Sequence, residues 1–177
     1  MKTIVTRLYD QYEDAAAAVA DLKRSGISEA DISMVANRES YPDDATASAN
    51  GTSTGAGVGG AVGAGAGLLA GIGLMAIPGL GPVVAAGWLA ATALGAVAGA
   101  VTGGVIGMLV DAGVSENDAH VYAEGVRRGG TLVTVRTEDR ETADRILGNH
   151  ISVDVNERRL DYSKTGWKSS GLSDGLS

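Results

Sequence analysis

Charged and apolar positions divide the chain into three zones. From Met1 to Asp44 charges interrupt the apolar residues every few positions; from Ala45 to Val110 there is no charge; from Asp111 charges return at once. In the first zone "TIVTRLY" mixes β-branched and apolar residues as a strand does. Asp10 with Glu13 gives a variant of the capping box, and the helix it opens carries Ala16, Val19 and Ala20 on one face and stops at Gly26. "DISMVA" predicts a second strand, and "NRESYPDDATASANGTST" has the polar, turn-rich composition of a linker.

In the third zone Ser115 and Asp118 form a capping pair before a stripe of Ala119, Tyr122, Ala123 and Val126 at helical spacing, ended by Gly129 and Gly130. "TLVTVRT" predicts a strand and "DRETADRILGNH" a helix with Ala143, Ile146 and Leu147 inward. "ISVDV" predicts a last strand with Ile151, Val153 and Val155 alternating. Without the middle zone and the helix at Ser115, the order is strand-helix-strand twice over. The predicted fold class is therefore α+β, a ferredoxin-like split βαβ domain interrupted at the connection between its second and third strands. The expected boundaries are 1–44 for the first half, 45–54 for the linker, 55–110 for the insert, 111–157 for the second half and 158–177 for a tail of disordered composition.

Three readings compete for the insert. Gly55, Gly57 and Gly60 match the spacing of a dinucleotide loop, but no strand precedes them and no lysine lies between Lys23 and Lys164. A flexible linker would carry Ser, Thr and Lys among its glycines, where this zone has Ala, Val, Leu, Ile and Met. The third reading accounts for the spacing: Gly55, Gly59, Gly63, Gly67 and Gly71 recur every fourth position. The pattern resumes at Gly87, Ala91, Gly95, Gly99, Gly103 and Gly107. On helices these positions form side-chain-free strips that let two backbones approach closely. Pro78, Gly79, Gly81 and Pro82 would form the turn of a helical hairpin with arms 57–77 and 82–110.

Each interior glycine costs a helix in water ~0.8–1 kcal/mol relative to alanine. Such a hairpin is therefore expected in lipid, or packed tightly among copies of itself. The first arm would rise ~32 Å, against a hydrocarbon core of ~30 Å. The expected partners are a second copy of the chain and membrane lipid. The soluble domain is expected on the cytoplasmic side, because "MKTIVTRLYDQYED" has no apolar secretory region after Lys2. Two alternatives stay open: a soluble homo-oligomeric shell packed through the hairpins, and a small-ligand regulatory module with the hairpin as its anchor.

Two stretches, "AIPGLGPVVAAG" (76–87) and "EGVRRGGTLVTV" (124–135), resemble the bacterial general stress protein family, also called heat-induced stress proteins. The resemblance covers roughly residues 1–157. It implies a glycine-zipper hairpin within a small α/β domain and stress-linked association, and it supplies no catalytic residue.

Charge and chemistry narrow the function further. A formal charge of −7 argues against a nucleic-acid partner, and the lack of cysteine excludes disulfides and thiol chemistry. His120 has Glu116 and Glu124 four residues to either side, a solvated face with i,i+4 pairing as readily as a ligand set. No metal, cofactor or catalytic residue is expected, and the protein is read as non-enzymatic. Arg127 and Arg128, at the end of the helix leaving the hairpin, are candidates for headgroup contact or for complementing the helix dipole. Trp167, among Arg158, Arg159, Lys164 and Lys168, is a candidate interface residue of the tail.

Overall fold

The computed structural model describes residues 2–40, 73–77, 81–89 and 104–168. Its strands are β1 (Thr3–Tyr9), β2 (Ile32–Asn37), β3 (Gly73–Ile77), β4 (Gly81–Gly87) and β5 (Thr131–Thr137). Its helices are α1 (Tyr12–Arg24), α2 (Gly104–Asp111), α3 (Glu116–Arg127), α4 (Arg140–Gly148) and α5 (Val155–Lys164). The fold is mixed α and β, built on an antiparallel sheet in the order β1-β5-β2-β4-β3. β5 is antiparallel to both of its neighbours, so β1 and β2 run parallel to each other on either side of it.

Period-two alternation sends the two sides of each strand into different cores. Val5, Tyr9, Ile32, Met34, Ala36, Val84, Ala86, Val133 and Val135 meet α1 and α4 through Ala15, Ala18, Val19, Leu22, Ala143 and Leu147. Leu8, Val35, Val83, Ala85 and Leu132 meet α2 and α3 through Val105, Leu109, Ala119, Tyr122, Ala123 and Val126. Helices on both faces explain why β2 is buried at every position and β5 at all but one, rather than alternating with solvent. Several of the polar groups this encloses find partners. The Tyr9 hydroxyl donates to the Leu147 carbonyl at 2.8 Å, Ser33 Oγ donates to the Ala86 carbonyl at 2.8 Å, and the Tyr122 hydroxyl donates to the Thr6 carbonyl at 3.3 Å.

The predicted helical hairpin is corrected where it is described. Residues 73–77 and 81–87 are paired strands, so neither 57–77 nor 82–110 is one helix. β4 lies along β2 from Asn37↔Val83 to Ser33↔Gly87, and its residues alternate between the two cores, which helical spacing cannot do. The fourfold glycine spacing is a local signal; sheet hydrogen bonds and two apolar faces outweigh it here. Gly81 and Pro82 pair with Ile77 and Ala76 as the first residues of β4, and so are strand rather than turn. Pro78 and Gly79 lie outside the described residues, as do Gly55, Gly59, Gly63, Gly67, Gly71, Gly95, Gly99 and Gly103.

Gly87 ends β4 with φ +87°, and a Cβ there would stand 2.1 Å from the Ile32 carbonyl oxygen. Its bare backbone serves strand-to-strand approach, not helix packing. Gly107 is helical, in α2, but a Cβ on it would meet nothing within 4 Å. Among the described residues, no helix is long and apolar enough to cross a membrane.

Three smaller corrections concern chain ends and caps. "ISVDV" forms a single antiparallel bridge, Ser152↔Tyr9, beside a hydrogen bond from the Val153 amide to the Leu8 carbonyl at 2.8 Å. Asp154 then caps α5, accepting from the amides of Asn156 and Glu157, which turns Val155 from strand into helix. The boundary drawn at 157/158 thus falls inside a helix. At α1 the N-cap is Gln11, with no side-chain cap bond, while Asp10 is engaged by Arg158. The Ser115 cap of α3 forms as the sequence indicates, its hydroxyl accepting from the Asp118 amide at 3.2 Å.

Candidate functional site

Among the described residues, the richest polar cluster lies where α3 ends and α1 begins, and "EGVRRGG" builds half of it. Gly129, at φ +104°, ends α3 in the left-handed region. Gly130 N–H donates to the Gly125 carbonyl at 2.8 Å and Gly129 N–H to the Val126 carbonyl at 3.0 Å. These two bonds are the Schellman pattern that satisfies the last carbonyls of a helix. Gly125 lets α3 lie close on β1, since a Cβ there would stand 2.3 Å from Leu8 Cδ2. The motif therefore sets the end of α3 directly against the β1–α1 junction.

Within that frame Glu124 is only 6% exposed. Arg127 binds its carboxylate through Nε at 2.7 Å and Nη2 at 2.6 Å, and Arg128 adds Nε at 2.6 Å. Burial alone would raise the carboxyl's pKa, but hydrogen bonds from Arg127 and Arg128, reinforced by their charges, hold it below the usual carboxylate range. Arg128 continues outward: Nη2 donates to Thr165 Oγ1 at 3.2 Å, and its guanidinium lies 4.4 Å from the Tyr162 ring centre. Arg158 lies 5.9 Å from the same ring and grips Asp10 with both terminal nitrogens, at 2.9 and 2.6 Å. Trp167 meets Tyr162 edge-on, with ring centres 5.7 Å apart. A cleft of ≈ 450 Å³ opens between these groups, lined by Asp10, Gln11, Tyr12, Arg128, Gly129 and Tyr162 among others.

Guanidinium groups thus alternate with carboxylates and an aromatic face, from Arg127 through Glu124, Arg128 and the Tyr162 ring to Arg158 and Asp10. The network fastens α3, the start of α1 and α5 to one another. Arg127 and Arg128, candidates for headgroup contact, converge on Glu124, and Trp167 is half-buried against Tyr162. Glu124 turns to the arginines rather than to His120, which lies 3.9 Å from Glu116. His150 pairs instead with Asp21, at 3.0 Å.

Sequence reasoning missed the Glu124 clamp, although its spacing to Arg127 and Arg128 is the i,i+3 and i,i+4 signal for pairing on a helix. The Asp10–Arg158 link, closed by tertiary folding alone, left no such trace.

The depressed pKa of Glu124 predicts acid sensitivity. A carboxyl whose pKa is lower folded than unfolded stabilises the native state above its unfolded value of ~4.3, and that stability drains away as pH falls through the folded value. The thermal midpoint is expected to drop as pH falls below about 5, and to drop less steeply in Glu124→Gln. Equal slopes in the two proteins would remove Glu124 as the source.

Comparison with known proteins finds no family model, curated protein or solved structure that matches the chain.

Proposed function

We propose that this protein is a non-enzymatic assembly protein. Copies associate through the uncharged small-residue stretches 45–72 and 90–103, while the α/β domain holds those stretches in place. The observation that carries the reading is the β3–β4 hairpin. It joins the sheet inside the charge-free zone, with Gly73 paired to Ala85 and Gly87 two residues further along β4. The first stretch therefore enters, and the second leaves, at the same end of the sheet's outer strands. Stretches without charge and rich in Gly and Ala have little large side-chain surface for a core of their own, and close packing between copies supplies the missing contacts.

The domain is inferred to be ferredoxin-like. Support comes from β1 and β2 running parallel on either side of β5, and from Ser152 occupying the place of a rudimentary fourth strand outside β1. The reading as a relative of the bacterial general stress proteins belongs to the same proposal. Of the two stretches that carry it, 124–135 builds the α3–β5 junction, and 76–87 contributes to a β-hairpin.

A lipid-embedded assembly is the second reading, favoured by the absence of charge from 45 to 110. Its first spanning arm is shortened by β3, and its second by β4 at one end and by the core-packed helix α2 at the other. What remains of the first, 57–72, would rise ~24 Å as a helix, and 90–103 ~21 Å, against a hydrocarbon core of ~30 Å. Val105 and Leu109 of α2 are buried in the protein core rather than free to face lipid. This favours the soluble assembly.

Light scattering on the full chain in detergent-free buffer tests the proposal. A particle of several copies is expected, and Gly63→Leu with Gly67→Leu should reduce it to smaller species while circular dichroism keeps the wild-type signal. Monomeric wild type would overturn the assembly reading. Recovery only from a membrane pellet with detergent would transfer support to the lipid arm.

A further inference from the structure

Among the five described α-helices, α5 stands apart in what holds it. α5 buries one side chain, Tyr162, whereas Ile151 before it is 81% exposed and Leu160 within it 63% exposed. Val153 and Val155 only partly enter the second core. The remaining attachments are polar and reach separate places: Arg158 to Asp10 before α1, Arg159 to Asp118 in the first turn of α3, and Thr165 to Arg128 just past the end of α3. The Arg158–Asp10 and Arg159–Asp118 pairs are partly open to solvent on both sides. On the backbone the segment is joined to the sheet at Ser152–Tyr9 and by the Val153 amide on Leu8.

We propose that residues 151–168 form a charge-latched arm that opens as a unit when ionic strength rises, while the five-stranded sheet and α1–α4 stay folded. Attraction between exposed charges is weak and falls away as the screening length shortens from ~8 Å at physiological salt to ~3 Å at 1 M. The apolar cores are not weakened by the same change. The first region to leave is therefore the one whose attachments are charges and a single buried ring. Opening removes the Tyr162 wall from the cleft beside Arg128 and uncovers the Leu8–Tyr9 end of β1. The device makes access to the cleft and to that strand edge depend on the ionic surroundings. It is independent of how copies of the chain associate.

Hydrogen exchange on the full chain, followed by mass spectrometry at about 0.05 M and about 1 M NaCl, tests the arm. Amides of 155–164 are expected to exchange roughly tenfold faster at high salt, with those of β2 and β5 unchanged. The double variant Arg158→Gln/Arg159→Gln should exchange fast at both salts, and Asp10→Asn should shift wild type part of the way from the opposite side of the latch. Lys164→Gln, which removes only a pairing internal to α5 with Asp161, should keep the wild-type response. An arm that ignores salt, an arm and sheet that respond together, or a double variant that behaves as wild type would each overturn the proposal.

Discussion

Replacing Gly87 with alanine is expected to lower the thermal midpoint by on the order of 10 °C, whereas the same change at Gly107 should leave it level or raise it. The two glycines share one fourfold-spaced series in the sequence, so a helix-packing strip would make them equivalent. Their surroundings differ. At Gly87 a Cβ would press on backbone, 2.1 Å from the Ile32 carbonyl oxygen and 2.8 Å from Ser33 Cα, at a φ of +87° that a side chain adopts only with strain. Strain and overpacking together amount to roughly 4 kcal/mol, and the neighbour cannot relieve them without parting β4 from β2. At Gly107 the space is open, and alanine recovers ~1 kcal/mol of helix propensity. Matched thermal scans decide the matter. Equal losses at both positions would mean that the face of α2 bearing Gly107 is also closely packed, against another copy.

Loss of Glu124 is the second large effect expected. Glu124→Ala takes the acceptor away from Arg127 and Arg128 and leaves a gap beneath them. Breaking a fully buried ion pair costs ~3–5 kcal/mol. The two guanidiniums here reach solvent and can rehydrate, which reduces the expected loss to about 2 kcal/mol. Arg127→Ala, which removes a more exposed partner, should cost under ~1 kcal/mol. Urea unfolding of the three proteins measures the difference. Glu124→Ala should also speed hydrogen exchange in α5, because Arg128 loses the bond that aims it at Tyr162 and Thr165. A Glu124→Ala protein as stable as wild type would show that the clamp contributes nothing to the fold.

How much of this was legible beforehand depends on how local the cause is. The stripe Ala119, Tyr122, Ala123 and Val126, the Ser115 cap and the stop at Gly129 all act within one helix, and all appear as read. The strand at 131–137 was equally plain, because β-branched residues crowd it and polar turns bound it. Local signals misled in two places. At 73–87 glycine spacing suggested helix, yet the hydrogen bonds that decide the matter come from β2, far earlier along the chain. At 151–155 alternation suggested a strand, yet Asp154 supplies a cap that begins a helix one residue later. In the polar cluster, Glu124 with its two arginines was available from spacing alone. Asp10, Arg158 and Tyr162 join it only because folding brings the first and last parts of the domain together.

By itself the sequence determined the three charge zones, the helices α1, α3 and α4, the strands β1, β2 and β5, and the absence of thiol chemistry. Each follows from residues within one turn or one strand of each other, or from composition. Only the tertiary structure decided that the middle zone lends two strands to the sheet, that helices cover both sheet faces, and that residues 155–164 form α5 with ion pairs to Asp10 and Asp118. Those outcomes depend on which backbone edges and which ionised groups meet across the fold, and separation along the chain carries no record of such meetings.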